Sequence, residues 1–121
     1  MKVRDLVTEE EKEILYNTYY HVTPAVNLSK IRKEGLKVYR GERTKKMSDE
    51  SALYAFNDLV SLEDALVNWL GDEFNEEQTL AILRIDLPEG EFDVSQTEHA
   101  GFEFKIKEDI PPKYIRFVRY E

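Results

Sequence analysis

Three polar side chains stand where the surrounding sequence is apolar. His21 closes the run Tyr19-Tyr20-His21-Val22, Tyr54 sits inside Leu53-Tyr54-Ala55-Phe56, and Glu103 lies between Phe102 and Phe104. An imidazole holds or moves a proton near neutral pH, and a phenol offers a ring face with a polar tip. A carboxylate beside a sugar stabilises positive charge developing on the ring carbon. Each residue alone also has an ordinary use: a His beside two Tyr in a core or rim, a strand Tyr in packing, a Glu on the solvent face of an alternating strand. Cysteine is absent, which excludes a disulfide framework, a thiolate-ligated metal centre and a cysteine nucleophile. His21 and His99 are too few for a zinc centre unless carboxylates join them.

The elements that must carry these groups follow one another closely. Thr8 before Glu9, Glu10 and Glu11 predicts a short helix ending near Leu15, with acids at the positive end of its dipole. Residues 16–23 are aromatic and β-branched and predict a strand ended by Pro24. Residues 26–34 predict a two-turn helix with Leu28 and Ile31 on one face. Gly35 closes it in a left-handed conformation, and Leu36 packs back on the last turn. Residues 40–51 read as a long polar loop, and residues 52–56 as a short strand. Ser61 is the expected cap of the next helix, with Asp64 three residues on. Leu62, Ala65, Leu66, Trp69 and Leu70 form its apolar stripe, and Gly71 ends it. Residues 72–77 read as an acidic loop. Residues 80–87 predict a strand stopped by Pro88-Glu89-Gly90, residues 91–94 a shorter one, and residues 95–101 a loop. Residues 102–106 alternate as a strand with one buried face, residues 110–115 form a turn, and residues 116–120 a final strand. The C-terminal connections are too short for helical crossovers. The expected class is therefore α+β with mainly antiparallel strands.

A chain of 121 residues fits one domain, 1–121, with residues 1–14 as a helical extension. An apolar share of 41% is enough for one core, while no apolar run reaches the roughly 20 residues that span a bilayer. The N-terminus shows no secretory signal, so a cytoplasmic protein without membrane partners is expected. Net charge is −8, which argues against whole-surface attraction to nucleic acid. The charge is uneven: residues 1–46 carry 11 basic and 7 acidic side chains, residues 47–121 carry 6 and 18. Basic residues concentrate between Lys30 and Lys46. That segment reads either as a solvated helix face with a soluble loop or as a local grip on a phosphate-bearing ligand.

Taken in order, the three polar residues and their flanks resemble a known family. Tyr20-His21-Val22-Thr23, followed by Asn27-Leu28, Ile31 and Gly35-Leu36, is similar to the first motif of the ADP-ribosyltransferase superfamily: a Tyr-His-x-Thr strand end before a short helix closing in Gly-Leu. Leu53-Tyr54-Ala55-Phe56 and the helix containing Ala65, Leu66 and Trp69 resemble the second motif. Glu103-Phe104-Lys105-Ile106, followed by Ile110-Pro111 and Ile115, resembles the third. The likeness spans about residues 15 to 118. It is closest to the prokaryotic and phage branch with a His–Tyr–Glu triad, which includes DNA-modifying toxins.

The resemblance implies antiparallel split sheets with short helices around a central cleft. It implies transfer of ADP-ribose from NAD to a protein or nucleic-acid acceptor. Glu103, Tyr54 and His21 would be the catalytic set. Glu103 would stabilise the oxocarbenium-like ribose and bind a ribose hydroxyl. Tyr54 would stack on nicotinamide. His21 would bind a ribose hydroxyl at the adenosine end, with Val22 and Thr23 beside it at the cleft edge. Charge alone places the basic residues 40–46, Arg43 among them, against the pyrophosphate. Arginine-modifying members carry a second acid two positions before the catalytic Glu. Here that position is Gly101, so arginine is a poor acceptor, and Gln96 and Glu98 stand in the preceding loop. Two other readings share the fold: a non-catalytic binding module, and an RNA 2′-phosphotransferase-like enzyme, for which His99 and Arg43 are poorly placed.

Overall fold

The computed structural model describes residues 15–38, 52–68, 70, 74, 77–97 and 103–121. The helix expected within residues 1–14 and the basic loop at 40–51 lie outside them. The described residues form an α+β protein around one six-stranded sheet. Its strands are β1 (Tyr16–Pro24), β2 (Leu53–Phe56), β3 (Leu80–Pro88), β4 (Val94–Gln96), β5 (Glu103–Ile106) and β6 (Ile115–Tyr120). They lie in the order β4-β5-β2-β1-β3-β6, and every described pairing is antiparallel. Helix α1 (Leu28–Glu34) follows a 3₁₀ turn at Ala25–Asn27, and α2 is Leu59–Asn68. Among the described residues no helix is long and apolar enough to cross a membrane.

Each face of the sheet buries one helix, because the strands alternate. On one face Tyr19, Ala55, Leu83, Ile85 and Ile106 pack with Leu28 and Ile31 of α1, and with Leu36 and Ile110. On the other, Val22, Phe56 and Ile82 pack with Leu62 and Ala65 of α2, and with Leu70. The continuous apolar run at the start of β3 is thus explained: Ala81, Ile82, Leu83 and Ile85 are all closed off from solvent. Burying one leucine of this kind stabilises the fold by about 2 kcal/mol.

Three local expectations are corrected. The N-terminus of α2 is capped by Asp58, whose Oδ1 accepts the Ser61 backbone N–H at 2.7 Å, so Ser61 lies within the first turn. Such a cap contributes about 1 kcal/mol. The short strand expected at 91–94 runs instead over Val94–Gln96. Gly90 turns the chain at φ +85°, Phe92 leaves the sheet to meet Tyr114 edge-on at 5.7 Å, and β5 fixes the register as Val94 opposite Ile106. Gly35 has the expected positive φ, but its ψ of −171° is extended rather than helical. The chain therefore leaves α1 straight into a bridge between Leu36 and Ile110. Leu36 does join Leu28 and Ile31 in one apolar cluster.

Tyr19 is 8% exposed, with its ring edge-on to Phe104 at 5.3 Å. Burial first, and the Glu89 carboxylate second, push its phenol pKa up. The unfolded chain releases this proton before the folded one. Tyr19's contribution is therefore complete below about pH 10 and is lost as pH rises toward the folded value. Urea unfolding at a series of alkaline pH values should show stability falling, and Tyr19→Phe should flatten that fall. An identical pH slope in the variant would count against a buried phenol.

Candidate functional site

His21, Tyr54 and Glu103 sit on β1, β2 and β5, three consecutive neighbours in the sheet. β2 runs beside β5 along its whole length, with Phe56 opposite Glu103 and Tyr54 opposite Lys105. Tyr54 and Glu103 consequently share the face that carries Phe56 and α2. Glu103 is 6% exposed, so the solvent-facing role open to a Glu in an alternating strand does not apply. A carboxylate this enclosed needs hydrogen-bond donors. Thr97 supplies one: its hydroxyl donates to Glu103 Oε1 at 2.7 Å, and its backbone N–H donates to the Glu103 carbonyl at 3.0 Å. This pairing of β4's end with β5's start fixes both the strand and the carboxylate.

The junction between β1 and β2 is different. Their register is fixed at a single pair, Tyr20 opposite Phe56, whereas β1 and β3 are paired along all of β1. Just past that pair, His21 Nδ1 lies 2.7 Å from the Tyr54 backbone carbonyl. A carbonyl only accepts, so Nδ1 carries the proton, and in the neutral ring Nε2 is the acceptor. By alternation His21 belongs to the face of Tyr19 and Thr23, opposite the face of Tyr54 and Glu103. Backbone carbonyls lie in the plane of a sheet. The imidazole that reaches one therefore stands at the seam between the two strands.

The flanking residues are more enclosed than a ligand-facing role suggests. Val22 is packed under α2 with Phe56 and Leu62, and Thr23 is 6% exposed, accepting a hydrogen bond from Asn27 Nδ2 at 3.2 Å. Gln96, expected in a loop, ends β4 opposite Phe104 and lines a cavity of about 410 Å³ with Tyr19, Phe92 and Phe104. Arg43, Glu98, His99 and Gly101 lie outside the described residues. Thr97 is the group that the sequence reading missed. A hydroxyl six residues before a strand Glu gives no signal until the β4–β5 register sets the two side by side. Neither the protein-family models nor the curated proteins contain a match to this sequence.

Proposed function

We propose that the protein is an NAD-dependent mono-ADP-ribosyltransferase acting on a protein or nucleic-acid acceptor, built on an ADP-ribosyltransferase-like fold. One observation carries this reading. Residues 33 positions apart along the chain meet where the imidazole of His21 grips the Tyr54 carbonyl, and the strand next to Tyr54 carries a buried, hydrogen-bonded carboxylate. The register of β1 and β2 is fixed at Tyr20 opposite Phe56, and the ligand is assigned to the junction just past that pair, where the His21 imidazole reaches the Tyr54 carbonyl.

In this reading the bond between nicotinamide nitrogen and ribose C1′ breaks, and nicotinamide leaves with the bonding pair. The Glu103 carboxylate faces the positive charge that grows on the ribose and accepts a hydrogen bond from a ribose hydroxyl. The acceptor's nucleophile then bonds to C1′ and releases its proton, which Glu103 takes up as the base. Thr97 holds the carboxylate in place. Tyr54 offers its ring to nicotinamide, and His21 binds a ribose hydroxyl. Val22 and Thr23 act through the strand end they stabilise, and the basic segment at 40–46, with Arg43, is assigned to the pyrophosphate by charge. The test is incubation of the full chain with NAD and candidate acceptors, with nicotinamide measured by chromatography. Its release, with an ADP-ribose adduct seen by mass spectrometry, is the expected result. Silence with every protein and nucleic-acid acceptor would favour a binding module instead.

A further inference from the structure

Among the described residues, α2 covers only half of the sheet face on which it packs. α2 lies over Val22, Phe56 and Ile82. The other half is an open groove of about 670 Å³, lined by Tyr16 and Thr18 of β1, Arg84 and Asp86 of β3, Arg116 of β6, and Lys113 and Tyr114. Its electrostatics run against the rest of the molecule. In a chain of net charge −8, the described lining holds three cations and one carboxylate.

Arg84 and Arg116 are directly opposite one another in the β3–β6 register. Like charges at facing positions of an antiparallel pair destabilise it. Asp86 does not neutralise both. Its Oδ1 accepts from Arg84 Nε at 3.2 Å and from the Thr18 hydroxyl at 2.6 Å. That bond uses the inner nitrogen of the guanidinium and leaves the two terminal nitrogens of the fork for another partner. Thr18 and Asp86 thus orient Arg84 as a preformed half of an anion clamp, and Arg116 stands across from it as the other half. The ring of Tyr16, 53% exposed, borders the same space.

We propose that this groove binds the phosphate group of a nucleotide, with Arg84 and Arg116 gripping the anion and Tyr16 covering the base. A groove of this size suits one nucleotide. An anion between the two guanidinium groups removes the repulsion that the empty register imposes, and Lys113 adds a third charge at the rim. The overall negative charge disfavours a long polyanion and leaves a short phosphate ester as the ligand. This site lies across the sheet from Glu103: Glu103, Phe56, Tyr20 and Arg84 occupy successive facing positions. Three strand spacings separate the carboxylate from Arg84, about 14 Å. The inference does not rest on the transferase reading, because nicotinamide release tests Glu103 whereas phosphate binding tests Arg116.

Isothermal titration of the full chain at low salt, with adenosine 5′-monophosphate, inorganic phosphate and uncharged adenosine, decides the matter. The monophosphate should bind with a Kd below about 1 mM, and adenosine at least about tenfold more weakly. Arg116→Gln and Arg84→Gln should each weaken monophosphate binding by about tenfold or more. Arg116 is exposed on a strand face, so its variant should melt at or above the wild-type temperature without ligand. A short single-stranded oligonucleotide identifies the source of the phosphate. Binding more than about tenfold tighter than the monophosphate, with a steeper salt dependence, assigns it to a strand, and equal binding assigns it to a free nucleotide. Absence of saturable binding by both would overturn the proposal, as would wild-type affinity in Arg116→Gln or equal affinity for adenosine.

Discussion

Replacing Glu103 by glutamine should slow nicotinamide release by roughly 10²- to 10⁴-fold while leaving NAD affinity within about threefold. In the proposed transfer the two effects separate, because the charge that Glu103 would face exists only at the transition state. In that reaction bound NAD would present the carboxylate with a hydroxyl, from which an amide oxygen accepts nearly as well. Departure of nicotinamide would present it with a cationic sugar, which an amide cannot neutralise. A loss of 10²- to 10⁴-fold corresponds to about 3–5 kcal/mol of transition-state stabilisation. Glutamine has the shape of glutamate, and its oxygen can still accept from the Thr97 hydroxyl that holds Glu103 Oε1 at 2.7 Å. The variant should therefore melt near the wild-type temperature, so that lost activity is not lost fold. Turnover equal to wild type would falsify the assignment of Glu103. A parallel fall in affinity and turnover would instead make it a ground-state contact.

Much of the scaffold behind that prediction is legible in the sequence, for reasons that can be named. The β3 run is apolar at nearly every position because its start is buried on both faces. The stripe Leu62, Ala65, Leu66 marks the buried side of α2 because a helix repeats every 3.6 residues. The Gly35-Leu36 and Ile110-Pro111 pairs lie far apart in the chain and fall in separate motifs of the sequence. The fold joins them in one backbone bridge. What stayed hidden depends on register. Asp58 takes the cap because α2 begins at Leu59, three residues ahead of where a Ser61 cap would start it. β4 moves to Val94–Gln96 because its partner β5, not its own residues, sets its position.

The same reasoning explains the uneven legibility of the site. His21, Tyr54 and Glu103 each break an apolar run, and this is visible along the chain. Their placement on neighbouring strands depends on a strand order that puts β2 between β1 and β5. Thr97 gives no such signal. Arg84 interrupts the apolar β3 run, but a lone Arg there points to no partner until the register sets it opposite Arg116. Chemistry that requires a rare residue in an apolar setting can be found by reading along a chain. Chemistry made by two ordinary residues meeting across a sheet cannot.

Gly35→Ala should cost about 3–5 kcal/mol of unfolding free energy, close to half the stability of an ordinary domain of this size. Two independent penalties combine there. Gly35 holds φ +83° with an extended ψ, a backbone region that a residue with a side chain enters only at a cost of about 1–3 kcal/mol. A Cβ at this position would also sit 2.1 Å from the Ile110 carbonyl oxygen and 3.1 Å from Pro112 Cδ. That carbonyl cannot simply retreat, because it accepts the Leu36 backbone N–H at 2.9 Å, while Ile110 N–H donates back to the Leu36 carbonyl at 2.8 Å. Relieving the clash means parting the bridge that ties the end of α1 to the turn before β6. Gly90 is the matched control: its φ is +85°, but no atom lies within 4 Å of an added Cβ. Gly90→Ala should therefore carry the backbone penalty alone, about 1 kcal/mol. Urea denaturation of the two variants side by side reads the difference. Equal losses would mean that the close approach of Gly35 to Ile110 does not exist in solution, and that the α1 end is not clamped as described.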